Sequence, residues 1–269
     1  MYISIAMCVC LLYGSFAHAQ TDRLQVGYYD WCPYTCYPEM ATGGQGYLVE
    51  IIRAVYKRAN IPITLEYKPY ARILLEMERG RLDLVAGATL EESEPYLTPS
   101  LPQGFYTGGF FGKPTANWVT NYETLRKAGK VAIVNGYEYN SRPYELLKIA
   151  SPHQVISMSG DFIYERMFQL VALDRVAFIH DDIRAMTHYI RSLGYQGLIE
   201  YKGGRTNKSP IYITFSKTSK NAKRALAVFN EQFAELLGTA ALEEILIKYE
   251  IQPREFTSFV LDNRSLIDD

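Results

Sequence analysis

The stretch GYLVEIIRAVYKRANIPITLEYKPYARILLEMERGRLDLVA, residues 46–86, decides the fold. Leu48, Ile51, Ile52, Val55 and Ala59 fall at helical spacing and predict a helix from Tyr47. The pattern stops at Asn60, with Pro62 just beyond, where a proline cannot continue a helix. Residues 63–67 read as a strand. Pro69 opens a second helix packed by Leu74, Leu75 and Met77, and Gly80 ends it in the usual C′ role. Residues 82–86 form the next strand. Upstream, residues 24–29 are a short β-type run closed by Asp30-Trp31-Cys32-Pro33 and a loop holding Gly43, Gly44 and Gly46. The order β-α-β-α-β calls for a parallel sheet with right-handed crossovers.

Beyond this stretch the same grammar recurs. Strands are predicted at residues 130–134, 154–158, 176–180 and 197–201. Helices are predicted from Ser141-Pro143 to about Ile149, over 161–173 and over 182–193. Two α/β units of similar size imply two lobes with a cleft between them, and ligands of open α/β sheets lie beyond the carboxyl ends of the strands. Residues 105–111, extended and glycine-rich, and residues 209–216, alternating Ile211, Ile213 and Phe215 with Tyr212 and Thr214, read as two antiparallel connectors forming a hinge. A long amphipathic helix over 221–237 carries Ala225, Val228, Phe229, Phe233 and Leu236 on one stripe, and a shorter helix covers 242–249.

The 269 residues are 48% hydrophobic and 21% charged, ordinary for a chain with a sizeable core. A net charge of -1 and the lack of a long basic run argue against nucleic acid or an anionic membrane as partner. Tyrosine is over-represented, at 22 against 12 Phe and 2 Trp, and a flat face with a polar tip suits a sugar, amine or aromatic ligand. Many of these rings simply line lobe surfaces.

Residues 1–19 read as a signal peptide: residues 3–16 are largely apolar, and Ala17-His18-Ala19 supplies a small-x-small site ahead of Gln20. The expectation is soluble export to the periplasm, with no lipid anchor and no membrane-spanning segment. Cleavage leaves Cys32 and Cys36, in Cys-Pro-Tyr-Thr-Cys. In an oxidising compartment a disulfide pinning a loop is favoured over a zinc site, which lacks further ligands, and over a redox motif, which spaces its cysteines by two.

Several segments together resemble the amino-acid-type, family-three bacterial solute-binding proteins. Residues 27–33 look like the family's first strand and aromatic-proline loop. Gly46-Tyr47-Leu48-Val49-Glu50-Ile51 is similar to its G-x-x-x-E-I helix opening, and Gly80-Arg81-Leu82-Asp83 to its G-x-x-D turn. Residues 209–217 resemble its second hinge strand, and residues 229–249 its closing helices. The likeness covers nearly all of the expected mature chain, and its order and spacing are more specific than any one motif. It implies two Rossmann-like α/β lobes joined by a two-strand hinge, the class II periplasmic binding protein fold. Lobe one is then residues 22–106 plus 211–269, and lobe two residues 107–210. The implied partners are a small-molecule ligand and an inner-membrane ABC-type permease or a sensor protein, with a monomeric chain, no cofactor and no metal.

Candidate ligand contacts follow. Asp30, Trp31 and Tyr34, after the first strand, offer an aromatic platform with a carboxylate, or else a turn packed on the disulfide. Arg72, in a stretch similar to a P-W-x-R pattern, is either a bidentate carboxylate clamp or a solvated helix charge. Asp182 sits where the resemblance places an amine-binding aspartate, with Asp181 as competitor and helix capping as the alternative for either. Gly136, Tyr137 and Tyr139 occupy the second-lobe loop. Gly160 and Asp161 lie similarly one strand later, with Asp161 alternatively a cap. Thr89 opens the stretch that corresponds to the family's T-x-x-R turn, but here the turn is Thr89-Leu90-Glu91-Glu92 and no Lys or Arg lies between Arg81 and Lys113. The expected ligand is therefore cationic, aromatic or neutral and polar, not an α-amino acid held in the usual way. The competing possibility is that Arg72 has taken over the clamp. No nucleophile elbow, phosphate loop or His-Glu-x-x-His motif is present. A dehydratase-like proton-transfer enzyme would need a buried acid, for which Glu91 and Glu92 are candidates that read first as surface charges.

Overall fold

A computed structural model describes residues 23–37 and 44–264. The expected signal peptide lies outside the described residues. The first half contains β1 (Leu24–Tyr28), α1 (Tyr47–Arg58), β2 (Ile63–Tyr67), α2 (Tyr70–Glu78), β3 (Leu84–Thr89), the single turn α3 (Leu90–Ser93) and β4 (Gly104–Tyr106). Then come β5 (Gly108–Gly112), α4 (Tyr122–Ala128), β6 (Val131–Val134), α5 (Arg142–Ala150), β7 (Val155–Met158), α6 (Ile163–Ala172), β8 (Phe178–Asp182), α7 (Ile183–Ser192) and β9 (Glu200–Tyr201). β10 (Ser209–Phe215), α8 (Ala222–Leu236), α9 (Ala240–Lys248) and α10 (Pro253–Asp262) complete the chain.

The strands form two five-stranded sheets, ordered β2-β1-β3-β10-β4 and β7-β6-β8-β5-β9. Each has three parallel strands flanked by one antiparallel strand, β10 on β3 and β5 on β8. Those antiparallel strands adjoin the two crossings. β4 and β5 are one extended run that changes sheets at Thr107, and β10 pairs antiparallel with β4 from Ser209↔Tyr106 to Ile211↔Gly104. The two crossings are thus hydrogen-bonded to each other in lobe one, as a hinge of two strands requires.

Local chemistry explains the boundaries. The third strand starts at Leu84 rather than 82, because Arg81 and Leu82 still donate to the Glu76 carbonyl and finish the α2 turn. Gly80 has φ 65°, and a Cβ there would meet the Thr218 carbonyl oxygen at 2.9 Å. Asp83, the last residue of the same turn, accepts from the Gln25 N–H of β1 at 2.7 Å and from the Ser219 hydroxyl. The strand expected at 176–180 is displaced to Phe178–Asp182, and that expected at 197–201 shrinks to two residues. Asp161 does not cap α6; the N-cap is Phe162, in a left-handed conformation.

Cys32 and Cys36 form a disulfide, with Cα atoms 4.4 Å apart. The loop they close seats α1: the N–H groups of Tyr47 and Leu48 donate to the carbonyls of Pro33 (3.0 Å) and Tyr34 (3.1 Å), two donors a helix start would otherwise leave unpaired. Gly46 precedes them with φ 99°, and a Cβ would fall 2.3 Å from the Tyr34 carbonyl oxygen. Only glycine fits so close an approach. Among the described residues no helix is long and apolar enough to cross a membrane, and no group of His, Cys, Asp or Glu could hold a metal ion.

Candidate functional site

The carboxyl ends of β1, β3, β6 and β8 converge between the lobes, and tyrosine fills the space they leave. From lobe one come Tyr29, Trp31 and Tyr70; from lobe two comes Tyr137, whose ring meets all three edge-on at centroid distances of 5.9, 6.0 and 5.2 Å. Trp31 stacks on Tyr34 at 4.1 Å within lobe one, and Tyr164 stacks on Tyr189 at 3.8 Å within lobe two. One hydrophobic core runs continuously through both lobes at this point. The lobes are closed on each other.

Hydrogen bonds cross the same boundary. Tyr189 Oη donates to Asp30 Oδ1 (2.5 Å) and accepts from the Cys32 N–H (2.8 Å). The Glu138 N–H donates to Glu92 Oε1 at 3.0 Å, and the Tyr34 hydroxyl reaches Asp182 Oδ1 at 3.1 Å. Two small cavities remain, one bounded by Asp30, Tyr137 and Gly160 and the other by Trp31, Thr89, Glu92 and Tyr139. Neither is lined by Lys, Arg or His.

The electrostatics are acidic. Burial raises Asp181 to a pKa of about 8, against the hydrogen bonds it accepts from the Asp182 N–H (2.6 Å) and Tyr164 Oη (3.1 Å) and with help from neighbouring Asp182 and Glu92. Burial raises Glu92 to about 7, although it accepts from the N–H groups of Thr89 and Glu138. It raises Asp30 to about 6. Desolvated carboxylates without a counter-ion hold their protons. His180, beneath them, goes the other way: burial lowers it to about 4, so it is neutral, and its Nδ1 is 3.0 Å from the Gly109 carbonyl. Buried polar groups here without a hydrogen-bond partner among the described residues include Trp31 Nε1, Tyr106 Oη and His180 Nε2.

The sequence candidates are placed unevenly. Asp30, Trp31, Thr89 and Tyr137 border the two strand-end cavities. Gly136 lies at the mouth of a separate groove beside Tyr70 and Leu74. Tyr34 is fully buried on the far side of the Trp31 ring. Thr89 caps α3 in a reciprocal box with Glu92. Asp182 is the N-cap of α7, its Oδ1 accepting from the Ala185 N–H at 2.8 Å and its Oδ2 from the Thr107 N–H at 3.0 Å. Capping therefore accounts for Asp182, and Asp181 is the carboxylate left beside the tyrosines. Arg72 is not brought to the cleft: it is exposed on α2 and paired with Glu76 at 2.7 Å. Glu91 is an exposed charge as read, whereas Glu92 turns inward. The signal for Glu92 was its spacing, third after Thr89, where a T-x-x-R turn would carry its arginine.

No family model and no curated protein matches the sequence. The architecture matches solved structures. They include a histidine kinase sensor domain with similarity to periplasmic binding proteins (TM-score 0.72, 17% identity, 85% of this chain and 96% of that one). The substrate binding protein of an amino acid ABC transporter matches with TM-score 0.68 and 16% identity over 84% of this chain and 98% of that one. An ancestral amino acid-binding protein, a precursor of cyclohexadienyl dehydratase, matches with TM-score 0.65 and 17% identity over 84% and 94%. With two α/β lobes, a two-strand hinge and tyrosines where the strand ends meet, the chain has the fold of the class II, family-three type of periplasmic solute-binding protein.

Proposed function

We propose that this is a solute-binding protein that captures a small amine-bearing molecule between lobe one, residues 22–106 plus 211–269, and lobe two, residues 107–210. One observation carries the reading: Glu92 lines an inter-lobe cavity bounded by Tyr29, Trp31 and Tyr137 whose lining includes no cation, and Asp181 is buried beside the same tyrosines. An ammonium group supplies the missing counter-charge, and the faces of Tyr29, Trp31 and Tyr137 suit a cation or an aromatic body. The unpartnered Trp31 and Tyr106 donors add places for an acceptor on the solute. A ligand carboxylate would meet Glu92 where the resemblance expects an arginine. The ligand enters by opening the hinge and displacing Tyr137, and it is delivered to an ABC-type importer. A sensor role is the alternative, and importer or kinase genes beside the coding gene separate the two.

The test is calorimetry with butylamine, phenethylamine and the twenty common amino acids between pH 6 and 8.5. Amines should bind with affinity that rises with pH, because protons held by Asp181 and Glu92 must leave as the ammonium arrives. Micromolar binding of a neutral amino acid that survives Asp181→Asn defeats the reading. A second reading, proton-transfer catalysis, rests on Glu92, whose pKa of about 7 suits an acid or base near neutrality. Incubation with prephenate or arogenate should give no product, since both are carboxylates and the cleft is acidic; turnover lost in Glu92→Gln would favour the enzyme.

A further inference from the structure

The stack of Trp31 on Tyr34 has two sides, and the strand-end space uses only one. Along the other runs a groove of about 500 Å³, walled by the disulfide loop, the crossing residues Phe105 and Thr107, and α7. That volume suits a small organic ligand. Most of the charges around it are already satisfied. Asp182 is held by the Thr107 and Ala185 N–H groups and lies against the Tyr34 hydroxyl. Glu250 is paired with Arg191 (3.1 Å), Glu255 with Lys208 (2.6 Å) and Lys248 with Glu50 (2.6 Å). Two cations lining the groove, Arg184 and Arg205, have no ion pair or hydrogen bond among the described residues. The Arg184 guanidinium carbon sits 4.8 Å from the Phe105 ring centroid and 5.9 Å from that of Tyr34. Its plane is supported by aromatic faces while its N–H fork goes unused.

We propose that this groove is a second small-molecule site, and that it takes an organic carboxylate with an apolar or aromatic body. A guanidinium held against two rings, with Asp182 and Glu255 near enough to feel it but neither ion-paired nor hydrogen-bonded to it, is arranged for bidentate recognition of a carboxylate from outside. Phe105, Ile183 and Tyr34 offer the apolar contact, and Arg205 adds a second positive charge from the returning crossing. The site stands independently of the amine reading. Its walls come from both lobes and from the crossing at Thr107, so an occupant that prefers this closed arrangement also stabilises it.

The probe is benzoate, titrated by calorimetry at low ionic strength into the full exported chain. Saturable, sub-millimolar binding is expected. Arg184→Met should weaken it at least about tenfold, and the exposed Arg205→Met about threefold. Arg184→Lys keeps the charge and loses the fork, and should fall between wild type and Arg184→Met; it serves alone if the Met variant does not fold. No saturable benzoate binding overturns the site, as does affinity that Arg184→Met or Arg184→Lys leaves unchanged. Inorganic phosphate binding as tightly, with the same dependence on Arg184, overturns the carboxylate assignment. Competition between benzoate and butylamine would place benzoate in the strand-end space and overturn the proposal too.

Discussion

The two sides of the Trp31–Tyr34 stack are opposites built from neighbouring residues. On the strand-end side the space is nearly full, the polar groups are carboxylates, and burial keeps them protonated. On the α7 side the space is open and two arginines have no ion pair or hydrogen bond among the described residues. Asp181 and Asp182 differ by one position, yet the pleat sends them to different tasks. Asp182 accepts from two backbone N–H groups and caps a helix, which offsets part of its burial and leaves it raised but less so; Asp181 accepts from one N–H and one tyrosine and is raised to about 8. Capping hydrogen bonds lessen the pKa rise that burial imposes on a carboxylate without abolishing it.

The largest expected effect tests that difference. Asp181, Glu92 and Asp30 are raised above the unfolded-state carboxylate range near 4. On these three groups the folded state holds more protons than the unfolded state, an excess that outweighs the one proton His180 gives up below pH 6.5, so stability falls as pH rises from about 5 to 8. Asp181 alone should account for several kcal/mol, at about 1.4 kcal/mol for each tenfold gain in its affinity for the proton. Thermal melts of the ligand-free protein should show Tm dropping between pH 5 and 9. Asp181→Asn should remove about half of that slope, and Asp182→Asn less. A slope unchanged in Asp181→Asn would show that this carboxylate is not the buried acid.

Next in size is the disulfide, which anchors the base of the stack. A four-residue separation closes a small loop, and the chain-entropy account gives about 2 kcal/mol for it. Cys32→Ser with Cys36→Ser should lose about that much in chemical denaturation, and benzoate affinity should drop because Pro33 and Tyr34 wall the groove. Loss of amine binding without loss of benzoate binding would mean that the loop serves the strand-end side instead.

A smaller effect is expected for Tyr137→Ala. Its three edge contacts with lobe one are worth about 0.5 kcal/mol or more each. Removing them should cost about 1 to 2 kcal/mol and let the lobes part, seen as a larger radius of gyration in small-angle scattering. An unchanged radius would show that the hydrogen bonds of Tyr189 and Glu138 suffice to keep the lobes closed.

Much of this was legible in the sequence, and the exceptions have physical causes. Elements with a buried stripe were readable because the stripe has a period: α1 starts at Tyr47, and α8 lies within a residue of its expected ends. Helix α4 escaped because it buries only Leu125 and is set by a capping box between Asn121 and Thr124, which leaves no stripe to see. In the cleft, Trp31, Thr89 and Tyr137 were readable as residues following strands. Asp181 against Asp182 was not, because a one-residue shift in β8 decides which carboxylate caps and which faces the tyrosines. Arg184 carried no signal, since its significance lies in what it fails to pair with, and pairing is settled in three dimensions.

The smallest expected effect concerns Arg72, the cation the sequence offered as a replacement carboxylate clamp. Its side chain is half exposed on α2, and its partner Glu76 is buried and also held by Arg81 at 3.2 Å. Truncation leaves Glu76 with one of its two guanidinium partners, so its charge is not stranded. Pairs with an exposed member are screened by water and are usually worth about 1 kcal/mol or less. Arg72→Ala should therefore cost about 0.5 kcal/mol in stability and leave calorimetric affinities for butylamine and benzoate unchanged. Because Arg72 lines neither the strand-end cavities nor the α7 groove, any effect on binding would have to come from a rotation of α2 as the lobes open. Amino-acid binding that appears in wild type and vanishes in Arg72→Ala would establish that rotation, and would move the anion site from Arg184 to α2.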